Sequence, residues 1–163
     1  WLKQNEKATR EFIRKWGHFV KHDQFLKPII PSKYDVGFII KNGSMQLLEV
    51  LEPWCSDVYI DDANGNQYTQ YIKKEDTSYD LYEKIKPFDN EKNNGILVEI
   101  DGNTFSQQDY ESITKLPEIL DNEYKRLEQE LIHHSDDPEF ELGNLYITVI
   151  NLRTSEKDLI VCK

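Results

Sequence analysis

Short apolar runs of strand character alternate along this chain with segments of helical period, and that alternation restricts the fold more than any other feature. Residues 34–40 (YDVGFII) form a brief, largely apolar run, as in a strand buried on both faces. Residues 57–60 (DVYI) and 95–100 (GILVEI) read as two more strands, the latter most clearly. Between the first two, apolar residues at 45, 47, 48, 50, 51 and 54 keep a helical stripe, with Ser44 placed as its N-cap. A short helix is expected around 78–86, with Leu81, Tyr82 and Ile85 on one side. Ser106 then stands three residues before Asp109 in a capping-box arrangement, opening a helix through Tyr110, Ile113, Leu116, Ile119 and Leu120. Pro117 should kink or restart that helix, and the charged stretch 123–132 should continue it in solvent. Two last runs, 145–152 (LYITVINL) and 159–162 (LIVC), flank a polar turn. The predicted fold is therefore α/β: a mostly parallel sheet of four to five strands with flanking helices and an antiparallel strand pair at the C-terminus. Asn64-Gly65 is a competing signal, since a tight turn there would fold 57–62 onto 67–73 as a hairpin.

An amphipathic helix precedes the sheet. Leu2, Ala8, Phe12, Ile13, Trp16, Phe19 and Val20 recur mostly three or four apart, and the opposite face carries Lys3, Lys7, Arg10, Arg14 and Lys15 with two glutamates. Gly17 would stop or bend this helix. The chain divides into a connector helix (1–22), a proline-containing linker (23–33, with Pro28 and Pro31) and one α/β domain (34–163). It begins on Trp1 and ends just past the apolar run 159–162, which reads as a piece cut from a longer polypeptide.

Charge separates these parts. Residues 1–41 hold nine basic and four acidic side chains, whereas the remainder holds eleven basic and twenty-six acidic, giving the net −10. An acidic body argues against nucleic acid, whose phosphates require a basic face. The basic helix suits docking onto an acidic domain, or else rest on the anionic inner face of a membrane. No apolar run approaches the roughly 18 residues of a membrane span. Cys55 and Cys162 both lie in apolar strings and make no disulfide framework, so they read as reduced core residues of a cytoplasmic protein.

In sheets of this kind ligands sit outside the carboxyl ends of the strands. Asp61 and Asp62 close the second predicted strand, and Glu99 and Asp101 close the third, two apart and so on one face. If those strands are neighbours, the four carboxylates would converge on a hard divalent cation such as Mg²⁺ or Mn²⁺. Solvated strand-end acids are the alternative, in a chain with thirty carboxylates. His133-His134 are adjacent and diverge on a helix, while His18 and His22 have zinc spacing but no third ligand nearby. Trp54, Tyr59, Tyr68, Tyr71 and Tyr79 would suit stacking on sugar rings or, more simply, packing in the core.

The string NEKATREFIRKWG, with Phe12, Lys15, Trp16 and Gly17, resembles the segment that follows the catalytic domain in many bacterial family 2 glycosyltransferases. The resemblance covers about a tenth of the chain. It implies a C-terminal accessory domain of surface-polysaccharide synthesis, working with an N-terminal catalytic domain outside this chain and with the sugar acceptor. The family carries a nucleotide-binding sheet ending in an Asp-x-Asp metal motif and a later carboxylate base; this chain has no Asp-x-Asp, and Asp61-Asp62 and Glu99-Ile-Asp101 depart from it. No catalytic residue is therefore carried over. Two readings of other classes stand beside it: a self-contained metal-dependent enzyme acting on a nucleotide or phosphorylated substrate through Asp61, Asp62, Glu99 and Asp101, and an acidic protein-interaction module.

Overall fold

Strand β1 (Val36–Lys41) lies inside a six-stranded sheet and sets the position of everything else. The computed structural model describes residues 7–18, 24–27, 32–61, 66–133, 137–152 and 154. Four strands run parallel: β1, β2 (Asp57–Ile60), β3 (Ile85–Pro87) and β4 (Ile96–Asp101). A C-terminal antiparallel hairpin, β5 (Glu139–Leu142) and β6 (Leu145–Val149), completes the sheet through β6 on β4. The strand order is β3-β2-β1-β4-β6-β5. The α/β class, the dominant parallel sheet and the closing antiparallel pair agree with the sequence expectation. The details differ: the sheet gains β3 and β5, and β5 pairs with β6, while residues 159–162 lie outside the described residues.

Helix α2 (Met45–Leu51) joins β1 to β2, with Ser44 Oγ accepting from Leu47 N at 3.1 Å, and a single 3₁₀ turn (Glu52–Trp54) follows it. Helix α3 (Asn66–Glu75) and the one-turn α4 (Leu81–Lys84) join β2 to β3. The alternating order thus holds, and the hairpin over 57–73 does not form, because Tyr68, Tyr71 and Glu75 all bury from α3. Asn64 and Gly65 themselves lie outside the described residues. Helix α5 (Gln107–Asn122) carries the complete Ser106–Asp109 capping box and continues through Pro117 without restarting; the break before α6 (Tyr124–His133) falls at Glu123 instead.

The sheet has two unlike faces. Val36, Phe38 and Ile40 of β1, with Val58, Ile60, Ile96, Val98, Ile100, Ile147 and Val149, point into one core shared with Leu48, Leu51, Ile113, Leu116, Leu120 and Leu127 of the helices. The alternate residues form the other face, and apart from Gly37 and Tyr59 they are half-buried or exposed. This corrects the expectation that residues 34–40 are buried on both sides by apolar partners. Gly37 is covered by a polar group: segment 88–95 passes over this face, and a Cβ on Gly37 would come within 2.5 Å of Asn94 Oδ1. Buried Asn94 is fully used. Its amide donates to Asp35 (2.7 Å) and Asp57 (2.8 Å), and its oxygen accepts from the Tyr59 hydroxyl (2.7 Å).

Helix α1 (Lys7–Trp16) belongs to the same core through fully buried Ile13. Two of its basic residues meet buried acids. Arg10 donates twice to Glu75, at 2.7 and 2.8 Å, and Arg14 donates to Glu75 (2.8 Å) and pairs with Glu52. Glu52 also accepts from Tyr71 (2.9 Å) and Lys84 (2.7 Å). Burial alone would push Glu52 up, but Lys84 and Arg14 outweigh it and hold the carboxyl at about 2. Gly17 ends the helix with φ +80, its N–H donating to Ile13 O at 2.7 Å, and Lys33 Nζ donates to the Arg14 carbonyl (2.7 Å).

Candidate functional site

The chain proceeds from β1 outward to β2 and β3, then returns to the other side of β1 to form β4. That reversal makes the gap between the carboxyl ends of β1 and β4 the place where an open parallel sheet leaves a crevice for a ligand. Two loops meet there, Asn42-Gly43-Ser44 after β1 and Gly102-Asn103-Thr104 after β4. They are tied by Gly102 N donating to Lys41 O at 2.8 Å, and Gly102 packs so closely on the Asn42 carbonyl that a side chain has no room.

Asn42 organises the edge. With φ +52 it turns its backbone N–H toward Asp61 Oδ2 (3.0 Å), and its side-chain amide donates to Asp101 Oδ1 (3.0 Å). Asp61 Oδ1 takes Gly43 N at 3.4 Å, and Asp101 Oδ1 also takes Asn103 N at 2.9 Å. The Asn42 amide, followed by the Asn103 N–H, holds the Asp101 carboxyl below the usual carboxylate range. Asp101 is therefore held as an anion at the sheet edge, with Asp61 hydrogen-bonded to the backbone on the other side of Asn42.

The structure distributes the four predicted acids unevenly. β2 and β4 are not neighbours, because β1 lies between them, so the condition for direct convergence is not met. Asp61 and Asp101 are linked through Asn42 rather than to each other. Glu99 sits one step back on the open face, opposite Tyr146, within an acidic patch that includes Glu139 and Glu141. The Tyr146 hydroxyl donates to Glu139, which with the surrounding acids pushes it up to about 12. Asp62 lies outside the described residues. Among the described residues no group of three or more His, Cys, Asp or Glu is arranged to hold a metal ion. What they offer is one or two carboxylates, which suffices for Mg²⁺ only where ligand phosphates and water complete its shell.

Phe12, Lys15, Trp16 and Gly17 form the C-terminal end of α1. Phe12 lies 6.4 Å from Trp16, and the Lys15 ammonium sits 5.0 Å over the Trp16 ring. These are contacts that finish a helix. Of the aromatic residues considered for sugar stacking, Trp54, Tyr59, Tyr68 and Tyr71 are buried, and Tyr79 is 40% exposed. Burial pushes the Cys55 thiol up to about 12, away from the thiolate form that a nucleophile uses. His22, His134 and Cys162 lie outside the described residues. Asn42 is the residue that sequence reading missed; the Asn-Gly pair after a predicted strand was its only local signal. No helix among the described residues is long and apolar enough to cross a membrane. Comparison with family models, with curated proteins and with solved structures finds no match for this chain.

Proposed function

We propose that this chain is a ligand-binding α/β domain of sugar-transfer machinery, and that it takes a nucleotide-linked sugar with a divalent cation at the carboxyl edge of β1, β2 and β4. One observation carries the reading: the switch in strand order places Asn42 between Asp61 and Asp101, joining three loop starts at the ligand position of a parallel sheet. The resemblance of the α1 segment to family 2 glycosyltransferases supplies the sugar. Asp101 and Asp61 would hold the cation, and the cation would neutralise the diphosphate.

A thermal-shift titration with UDP- and GDP-sugars, with and without Mn²⁺, tests this. At about 100 times its dissociation constant a ligand stabilises by roughly 2.7 kcal/mol, or about 5–10 °C for a chain of this length. A Mn²⁺-dependent shift that Asp101→Asn abolishes is the expected result. The absence of any shift with every donor sinks the reading.

A second reading has its own support. Asp61 and Asp101 spend hydrogen-bonding capacity on their own loops, and the described residues hold no complete metal set. On that basis the chain would be a non-catalytic accessory domain, positioning the acceptor for a catalytic domain supplied by other sequence. The same titration separates the two.

A further inference from the structure

At the opposite edge of the sheet, before β2 and β3 begin, lie two exposed aromatic side chains three residues apart in sequence. Tyr79 is 40% and Tyr82 61% exposed, on either side of the α4 cap, where Asp80 accepts from Glu83 N at 3.2 Å. Two clefts meet at this segment. One, of about 340 Å³, is bordered by Ser56, Asp57, Glu83 and Lys84; the other, of about 320 Å³, by Lys73, Asp76 and Thr77. Tyr79 and Asp80 line both clefts, and Tyr82 lines the second.

We propose that this ridge is a carbohydrate-binding surface, with an oligosaccharide laid across Tyr79 and Tyr82 and a sugar ring entering the cleft on each side. The volumes fall at the lower end of small-ligand sites, but such sites are mostly lined by apolar groups. These clefts are lined by carboxylates, hydroxyls and ammonium groups around an aromatic ledge. A polyhydroxylated ligand matches that combination, since its C–H faces stack on tyrosine rings while its hydroxyls reach hydrogen-bonding side chains. The charges narrow the class further. Lys84 is already paired with Glu52, and Asp57 with Lys86, whereas Asp76, Asp80 and Glu83 are exposed. Lys33 and Lys73 line the clefts as well, so the charges are mixed rather than of one sign, and a neutral, hydroxyl-rich chain is the ligand that fits them.

The inference rests on the sugar-transfer reading above, deepening it from a donor site to a separate hold on the glycan chain. The two sites are on opposite edges of the sheet, so they fail independently. Maltohexaose, cellohexaose and chitohexaose would each be titrated into the ¹⁵N-labelled chain, following amide shifts. Saturable changes confined to residues 55–57 and 72–84 are expected with at least one of them. Tyr79→Ala/Tyr82→Ala should weaken that binding about tenfold or more, with an unchanged melting temperature, while Asp101→Asn leaves it intact. No saturable change with any of the three, changes centred elsewhere, or an unaffected double variant overturns the proposal. Glycan binding without any nucleotide shift would leave this surface standing and remove the donor site.

Discussion

Replacing Glu52 with glutamine is the sharpest test of how α1 is held to the sheet. Glu52 is 0% exposed and receives Arg14, Lys84 and the Tyr71 hydroxyl at its two oxygens. Glutamine keeps the shape, removes the charge, and turns an amide NH₂ toward groups that are all donors. Burial works against the Glu52 anion, yet Lys84 and Arg14 hold it at about 2 against an ordinary 4.5. At about 1.4 kcal/mol per pH unit, that difference favours the fold by about 3 kcal/mol. Breaking a buried ion pair from one side costs about 3–5 kcal/mol, so two independent routes give one figure. The expected drop in melting temperature is about 6–12 °C. The pH dependence has a fixed sign. A carboxyl whose folded value is depressed stabilises above its unfolded value of 4.5 and loses that contribution as pH falls toward 2. Urea denaturation followed by far-UV circular dichroism, at pH 7, 5, 4 and 3, should therefore show a full difference between parent and Glu52→Gln at pH 7 and 5, and about half of it at pH 3. A difference below about 1 kcal/mol at pH 7 refutes the reasoning, as does one that stays equally large at pH 3.

Two further substitutions probe how the open face and the C-terminal hairpin are tied down. Gly37→Ala drives a Cβ into Asn94, whose side chain already serves Asp35, Asp57 and Tyr59, and should cost about 1–3 kcal/mol in urea denaturation; a neutral result would mean segment 88–95 yields freely. Asp109 is 1% exposed and accepts from Ser106 N (3.0 Å), Asn144 N (3.0 Å) and the Asn144 amide (3.0 Å), so one carboxylate caps α5 and fixes the β5–β6 turn. Asp109→Ala should lose about 2–3 kcal/mol, more than a solvent-exposed cap, with hydrogen exchange accelerating in both α5 and β6; faster exchange in α5 alone would show that the hairpin stands without it.

Much of this fold was legible because its signals are local. The Ser106–Asp109 box, the Ser44 cap and the apolar alternation of β4 and β6 each need only a few neighbouring residues, and each appears as expected. The misread elements lacked such signals or carried a stronger competing one. β3 is three residues long and β5 is half exposed, too brief and too polar for hydrophobic period to mark them. At 57–73 Asn64-Gly65 offered a competing turn signal, and the stripe Tyr68, Tyr71, Ile72, Glu75 did not read as a helix, because its glutamate looks solvent-facing until Arg10 and Arg14 arrive from 65 and 61 residues away. The one-sided sheet was hidden in the same manner. YDVGFII reads as continuously apolar because glycine and isoleucine fill the second face, yet what covers Gly37 is an asparagine. The candidate site was the least legible of all, because strand order is set by packing and not by local pattern. Asp61 and Asp101 were visible as strand-end acids, but only the insertion of β1 between them decides that they cooperate through Asn42, 19 residues from one and 59 from the other. Asn42 reaches the two carboxylates through separate groups, its backbone N–H to Asp61 and its side-chain amide to Asp101, and so ties both to one loop. Under the function proposed above, a cation would sit between these two carboxylates with phosphates and water completing its shell.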